Sequence, residues 1–160
     1  MTDEPTGDTM QAPVRRVVTG ETSAGKAVVV SDAAVTGEPP RVGVVVHDVW
    51  GTDTPLTLPY DGARPATDAI TPPPGGFRFA LVSFAPREEV LGGGMHRSDT
   101  VDMSFVLSGE IWIELDDGAE TLLRAGDTLV QNATIHAWHN RAAEPCVMAV
   151  AAVGARRTAT

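Results

Sequence analysis

Residues 101–118 read VDMSFVLSGEIWIELDDG, and their alternation decides the fold class. Successive side chains of a strand point to opposite faces, so Asp102, Ser104 and Val106 share one side and Met103, Phe105 and Leu107 the other. Beyond Gly109, Ile111, Ile113 and Leu115 make an apolar side opposite Glu110, Trp112 and Glu114. Ser108-Gly109 and Asp116-Asp117-Gly118 are turn signals at the ends of both runs.

The same texture continues on both sides. FRFALVSFAP (77–86) alternates as a strand should, and the segment 120–155 breaks into short strands at Ala125-Gly126-Asp127 and between Asn140 and Pro145. Upstream, VRRVV (14–18), KAVVVSD (26–32) and RVGVVVHDVW (41–50) read as three further strands, rich in β-branched residues. Evenly spaced strands with tight turns and no capped helical run predict an all-β domain, a closed barrel or a sandwich. The expected organisation is a disordered acidic tail (1–13), N-terminal strands (14–50) packing on the barrel or a partner subunit, a long loop (51–76), the barrel proper (77–154) and a C-terminal tail (155–160). A Pro-, Thr- and Asp-rich loop of that length reads as a lid or binding loop, or as plain surface wrapping.

Composition narrows the partners. The 160-residue chain is 42% hydrophobic and carries a net charge of −9, with a pI near 4.7. An acidic surface with only isolated Arg pairs is repelled by a phosphate backbone, so nucleic acid is not an expected partner. VMAVAAVGA (147–155), the longest apolar run, is too short to cross a bilayer. The first residues lack the apolar core of a secretory signal, and the single cysteine, Cys146, fits a reducing cytoplasm. Its apolar neighbours mark a buried structural thiol.

Polar residues gather on two of the strands. GGGMHRSDTVD (92–102) offers His96, Ser98, Asp99 and Asp102, its glycines entering the strand expected to carry His96 and Asp102 inward. HAWHN (136–140) offers His136 and His139 on opposite sides; His136 is chosen as inward because Trp138 and Asn140 share its side. Two neutral imidazoles and a carboxylate suffice to bind a divalent transition metal while leaving positions open. Isolated histidines also serve as surface or hydrogen-bonded core residues, and the spacing alone leaves both readings open.

From about Phe77 to Gly154 the chain resembles a small single-domain cupin. The family's first motif, Gly-x5-His-x-His-x3/4-Glu-x6-Gly, is met by His96, Ser98 in place of the second histidine, Asp102 in place of the glutamate, and Gly109. The second, Gly-x5-Pro-x-Gly-x2-His-x3-Asn, is met by Gly126, His136 and Asn140, with Gln131 and Ala133 where Pro and Gly would stand and one residue fewer between Gly126 and His136. The resemblance implies a double-stranded β-helix (jelly-roll) barrel with extra N-terminal strands, commonly a homodimer, with any metal near one mouth. It further implies His96, Asp102 and His136 as metal ligands or acid–base residues, and Ser98, Ser104, Gln131, Trp138 and Asn140 as substrate contacts. The metal would be Fe, Mn, Zn or Ni, or none. The activity expected is a metal-assisted lyase, decarboxylase, dehydratase or isomerase acting on a small carbonyl or carboxylate compound. An Fe(II)-dependent dioxygenase and a metal-free, non-catalytic binding barrel are the alternatives.

Overall fold

The computed structural model describes residues 10–67 and 69–158. The tail expected at 1–13 lies outside the described residues as far as residue 9, as do residues 159–160 of the C-terminal tail. The strands are β1 (Val14–Glu21), β2 (Ala27–Val35), β3 (Glu38–Arg41), β4 (Val44–Thr52), β5 (Phe77–Phe84), β6 (Glu88–His96), β7 (Thr100–Ser108), β8 (Glu110–Leu115), β9 (Glu120–Arg124), β10 (Thr128–Asn132), β11 (His136–Asn140) and β12 (Cys146–Gly154). They form a six-stranded sheet in the order β10-β7-β12-β5-β4-β3, a four-stranded sheet β6-β11-β8-β9 and a two-stranded ribbon β1-β2. This is the expected all-β jelly roll. No helix among the described residues is long and apolar enough to cross a membrane.

The two strands of the 101–118 stretch lie in different sheets. The chain crosses over at Gly109, whose φ is 74°, and a Cβ there would stand 2.4 Å from the Pro145 carbonyl oxygen. Only glycine combines that backbone with that approach. The crossing turns the inward sides of β7 and β8 toward one another. Val106, Ile111 and Ile113 are buried together with Val44, Phe84, Leu91, Leu123, Cys146 and Met148. Each fully buried aliphatic side chain contributes roughly 1.5–3 kcal/mol. Leu115, expected on the same apolar side, is exposed where β8 runs out into its turn. Burial pushes the Cys146 thiol up to about 12, which leaves it inert, as its neighbours implied.

Two sequence expectations need correction. His96 and Asp102 do not share a strand: His96 ends β6 in the four-stranded sheet and Asp102 lies on β7 in the six-stranded one. The break at residues 97–99 is held at Asp99, whose carbonyl accepts from Ala155 N (2.9 Å) and whose carboxylate takes Arg157 (2.7 Å). Likewise 41–50 is not one strand. Gly43, at φ 72°, turns the chain between β3 and β4, and β3 carries Pro39 and Pro40, which an edge strand tolerates. β4 is hydrogen-bonded to β5 along its length, so β3 and β4 extend the barrel sheet itself, while β1 and β2 form a ribbon apart from it.

The segment after Thr52 is pinned down. Arg78, almost fully buried, donates to the Thr52 carbonyl (3.0 Å) and the Ala69 carbonyl (2.8 Å) and pairs with Asp53. Residues 60–62 lie against the ribbon, where Glu21 N donates to Tyr60 O (3.3 Å).

Candidate metal and active site

β11 begins at His136 directly across the ladder from His96, the last residue of β6. Their ring centroids are 4.5 Å apart. His96 Nδ1 lies 2.8 Å from the Gly94 carbonyl oxygen, and His136 Nδ1 lies 3.0 Å from that of Thr134. A carbonyl only accepts, so His96 Nδ1 carries the proton and its Nε2 keeps its lone pair; the Thr134 carbonyl selects the same tautomer at His136, whose Nδ1 also meets the Gln131 amide nitrogen.

Gln131 crowds the same nitrogen of His136. Its Oε1 accepts from the Thr134 amide and hydroxyl (3.0 Å each), which turns its amide nitrogen toward His136. That nitrogen has the Thr134 carbonyl as acceptor at 3.1 Å. The Thr134 carbonyl has two lone pairs, one for each side chain. Burial lowers the pKa of His136; the Thr134 carbonyl opposes this, His96 adds to it and Asp102 opposes it. The ring is therefore a neutral donor of the kind metals take.

Asp102 approaches from the other sheet, where β7 pairs it with Gln131. Burial raises its pKa, against smaller opposing effects of the Thr100 hydroxyl and of His136. Its Oδ1 is buried and has no hydrogen-bond partner. A buried carboxylate oxygen without a donor calls for a proton or a cation. Ser98 shares a 2.6 Å hydrogen bond with the Thr100 hydroxyl. The residue at the missing histidine's position thus braces the residue that bonds Asp102.

His96, His136 and Asp102 fit a divalent metal by donor chemistry: two free Nε2 lone pairs and one unpartnered carboxylate oxygen. They are not drawn tightly together. Among the described residues, the group whose ligand atoms all lie within 4.8 Å of one another is Glu114, Glu120 and His139. That trio sits on the opposite side of the four-stranded sheet. There His139 Nε2 bonds Glu114 (2.7 Å), and Arg141 bonds Glu120 while lying 5.4 Å from the Trp112 ring centroid. An arginine already on one carboxylate marks an ion-pair ladder. His139, set aside because of its parity, is as deeply buried as His136; the signal for its partner was Glu114, two residues beyond Trp112 on the outward side of β8.

The remaining candidates divide. Ser104 is buried on the Asp102 side of β7, and Trp138 meets His136 edge-on at 5.5 Å. Asn140 was expected to contact substrate, but its amide nitrogen donates to the carbonyls of Phe84 (3.2 Å) and Glu144 (2.9 Å). Its Oδ1 accepts from Ala142 N (3.0 Å). With its side-chain groups committed to backbone, it fastens the turn into β12. Glu110 forms an outer pair with Arg124 (3.7 Å). Ala133 adopts φ 54° at the position where the cupin motif has glycine.

These features define the class, a jelly-roll barrel with a histidine pair and a carboxylate across its interior, and the comparisons agree. The family model described as Cupin_2, cupin domain, matches residues 80–152, and over that stretch the chain is a cupin-like domain. It is 42% identical over 102 residues to "Phomopsin biosynthesis cluster protein C'" of Diaporthe leptostromiformis, covering 59% of this chain and 52% of that protein. The chain thus spans about half the length of that relative. It is 31% identical over 137 residues to "Cupin-domain-containing oxidoreductase fogC" of Aspergillus ruber, covering 79% of this chain and 64% of that one. The polyketide cyclase RemF from Streptomyces resistomycificus shares the fold, with a TM-score of 0.52 at 15% identity over 74% of this chain and 72% of its own.

Proposed function

We infer that this cupin is an enzyme acting on a small carbonyl or carboxylate compound, with a divalent metal held by His96 Nε2, His136 Nε2 and Asp102 Oδ1. The observation that carries it is the pairing of two Nδ1-anchored imidazoles with a buried carboxylate oxygen that has no partner of its own. A bound metal would act as a Lewis acid toward the substrate oxygen. The chain's own groups do the rest. Trp138 and the apolar core beside it restrict water, Gln131 fixes the His136 ring, and Ser98 and Thr100 hold Asp102 in place. Decarboxylation, dehydration or isomerisation all develop negative charge on a carbonyl or carboxylate oxygen, which such a site stabilises.

A second reading is oxygen-dependent oxidation with Fe(II). It is favoured by the two-histidine, one-carboxylate set and by the oxidoreductase names of relatives such as fogC. Elemental analysis of tag-free protein tests the metal common to both. Near-stoichiometric transition metal in the unmodified chain, lost in His136→Ala, is expected. A metal-free chain whose thermal midpoint ignores added Fe, Mn, Zn and Ni overturns it. Oxygen consumption with Fe(II) separates the two reactions.

A second copy of the chain is the proposed macromolecular partner. Met103, Phe105 and Leu107 of β7 and Val130 of β10 are exposed on the outer face of the six-stranded sheet. Contiguous apolar surface of this kind is rare on monomers. Light scattering should give twice the 16.8 kDa chain mass, and Phe105→Asp should halve the assembly.

A further inference from the structure

At the end of the barrel that holds the two histidines, the chain leaving β12 runs across the turns that carry them. Gly154 stands opposite Thr100, the first residue of β7, and its amide donates to the Gly76 carbonyl (2.9 Å). One residue on, the Ala155 amide donates to the Asp99 carbonyl (2.9 Å). Arg157 then spans two turns with one guanidinium. Its Nε donates to Asp99 Oδ1 (2.7 Å) and its Nη2 to the Ala133 carbonyl (3.1 Å).

Both anchors adjoin the site. Asp99 belongs to the break between His96 and Asp102, flanked by Ser98 and Thr100. The hydroxyls of these two bond one another at 2.6 Å, and that of Thr100 also bonds Asp102. Ala133 lies in the turn before His136. The peptide joining Ala133 to Thr134 is held at both ends, its carbonyl by Arg157 and its N–H by Gln131 Oε1 (3.0 Å). The Thr134 carbonyl in turn lies 3.0 Å from His136 Nδ1. Ala133 itself sits at φ 54°, in the left-handed region that a residue with a Cβ keeps only when its surroundings impose it. Gln131 supplies one such restraint and Arg157 the other.

An exposed ion pair does little for stability by itself, and the Arg157 and Asp99 side chains are 39% and 57% exposed. What sets this pair apart is what its two ends join. We propose that Arg157 is a positioning residue for the histidine–aspartate site. It bridges the break between His96 and Asp102 to the turn that presents His136, and it holds Ala133 in its left-handed backbone. Its effect on metal affinity rests on the proposed metal site; its effect on the turn does not.

The test compares Arg157→Ala with Arg156→Ala, a change at the exposed neighbouring arginine. In metal-free protein, Arg157→Ala should speed hydrogen exchange of the Thr134 amide about fivefold and shift the His136 ring-nitrogen resonances, while Arg156→Ala moves neither. Metal affinity, in competition with a chelator, should fall about fivefold in Arg157→Ala and stay unchanged in Arg156→Ala. Glycine takes the left-handed backbone without restraint, so adding Ala133→Gly to Arg157→Ala should restore the His136 resonances and most of the affinity. An unchanged Thr134 amide and His136 ring in Arg157→Ala overturns the proposal. So does an equal response to Arg156→Ala, which would mark a general effect of charge. Failure of Ala133→Gly to restore the ring resonances also overturns it, leaving a tie between surface segments. If the unmodified chain binds no metal, the metal reading fails, and the amide and ring measurements still decide the role of Arg157. If Arg157→Ala does not fold, Arg157→Gln, which keeps the aliphatic stem without the fork, is read in the same way.

Discussion

The two sides of β11 carry histidines of nearly equal burial and opposite character. On the inner side, His136 faces His96 and an unpartnered Asp102 oxygen, and burial lowers its pKa. On the outer side, His139 bonds a carboxylate within a ladder that already contains Arg141. Depth does not distinguish the two histidines. What distinguishes them is whether the neighbours' hydrogen-bonding capacity is used up. The outer group is more compact and its carboxylates are matched by His139 Nε2 and Arg141, although His139 Nδ1 has no partner; the inner one is looser and leaves a carboxylate oxygen without a donor.

Metal affinity should break the comparison most sharply. His136→Ala should lower it by about 100-fold or more, and His139→Ala should change it by about threefold or less, in competition with a chelator. The reverse result would move the site to the outer face. Next in size is Asn140→Ala, which removes a fully buried amide and strands the buried Phe84 carbonyl, with a part-buried bond to the Glu144 carbonyl also lost. It should cost about 3 kcal/mol in chemical denaturation without shifting metal affinity, separating the structural end of β11 from the proposed metal-binding end. Glu114→Gln should cost about 1 kcal/mol, because a neutral amide still accepts from His139.

The smallest effect is on pH dependence. A histidine whose folded pKa lies below its ordinary 6.5 contributes stability above that value and loses it as pH falls through the folded pKa. Asp102 has the opposite sign: with its pKa raised from 3.8, its contribution is full below that value and is lost as pH rises through the folded pKa. The melting midpoint of metal-free protein should therefore decline below about pH 6.5, and His136→Gln should flatten that decline.

Much of this was legible in the sequence. Alternation along 101–118 placed Asp102, Ser104 and Val106 inward and Met103, Phe105 and Leu107 outward, as observed, because period-two patterning reports a face directly. It could not report which sheet a strand joins. Gly109 reads equally as a hairpin turn or a crossing, and the proximity of Pro145 that distinguishes them is set by a residue far along the chain. For the same reason His96 and Asp102 were assigned to one strand. The Asn140 role was misread because its partners are backbone groups of β5 and the following turn, invisible to local spacing.

The crossing at Gly109 has a mechanical consequence. Because β6 and β11 belong to one sheet and β7 to the other, a species gripped by His96, His136 and Asp102 together stitches the two sheets to each other. Occupancy would be felt as stiffness: amides of β7 and β11, distant along the chain, should slow in hydrogen exchange in step, as if one rivet held both plates.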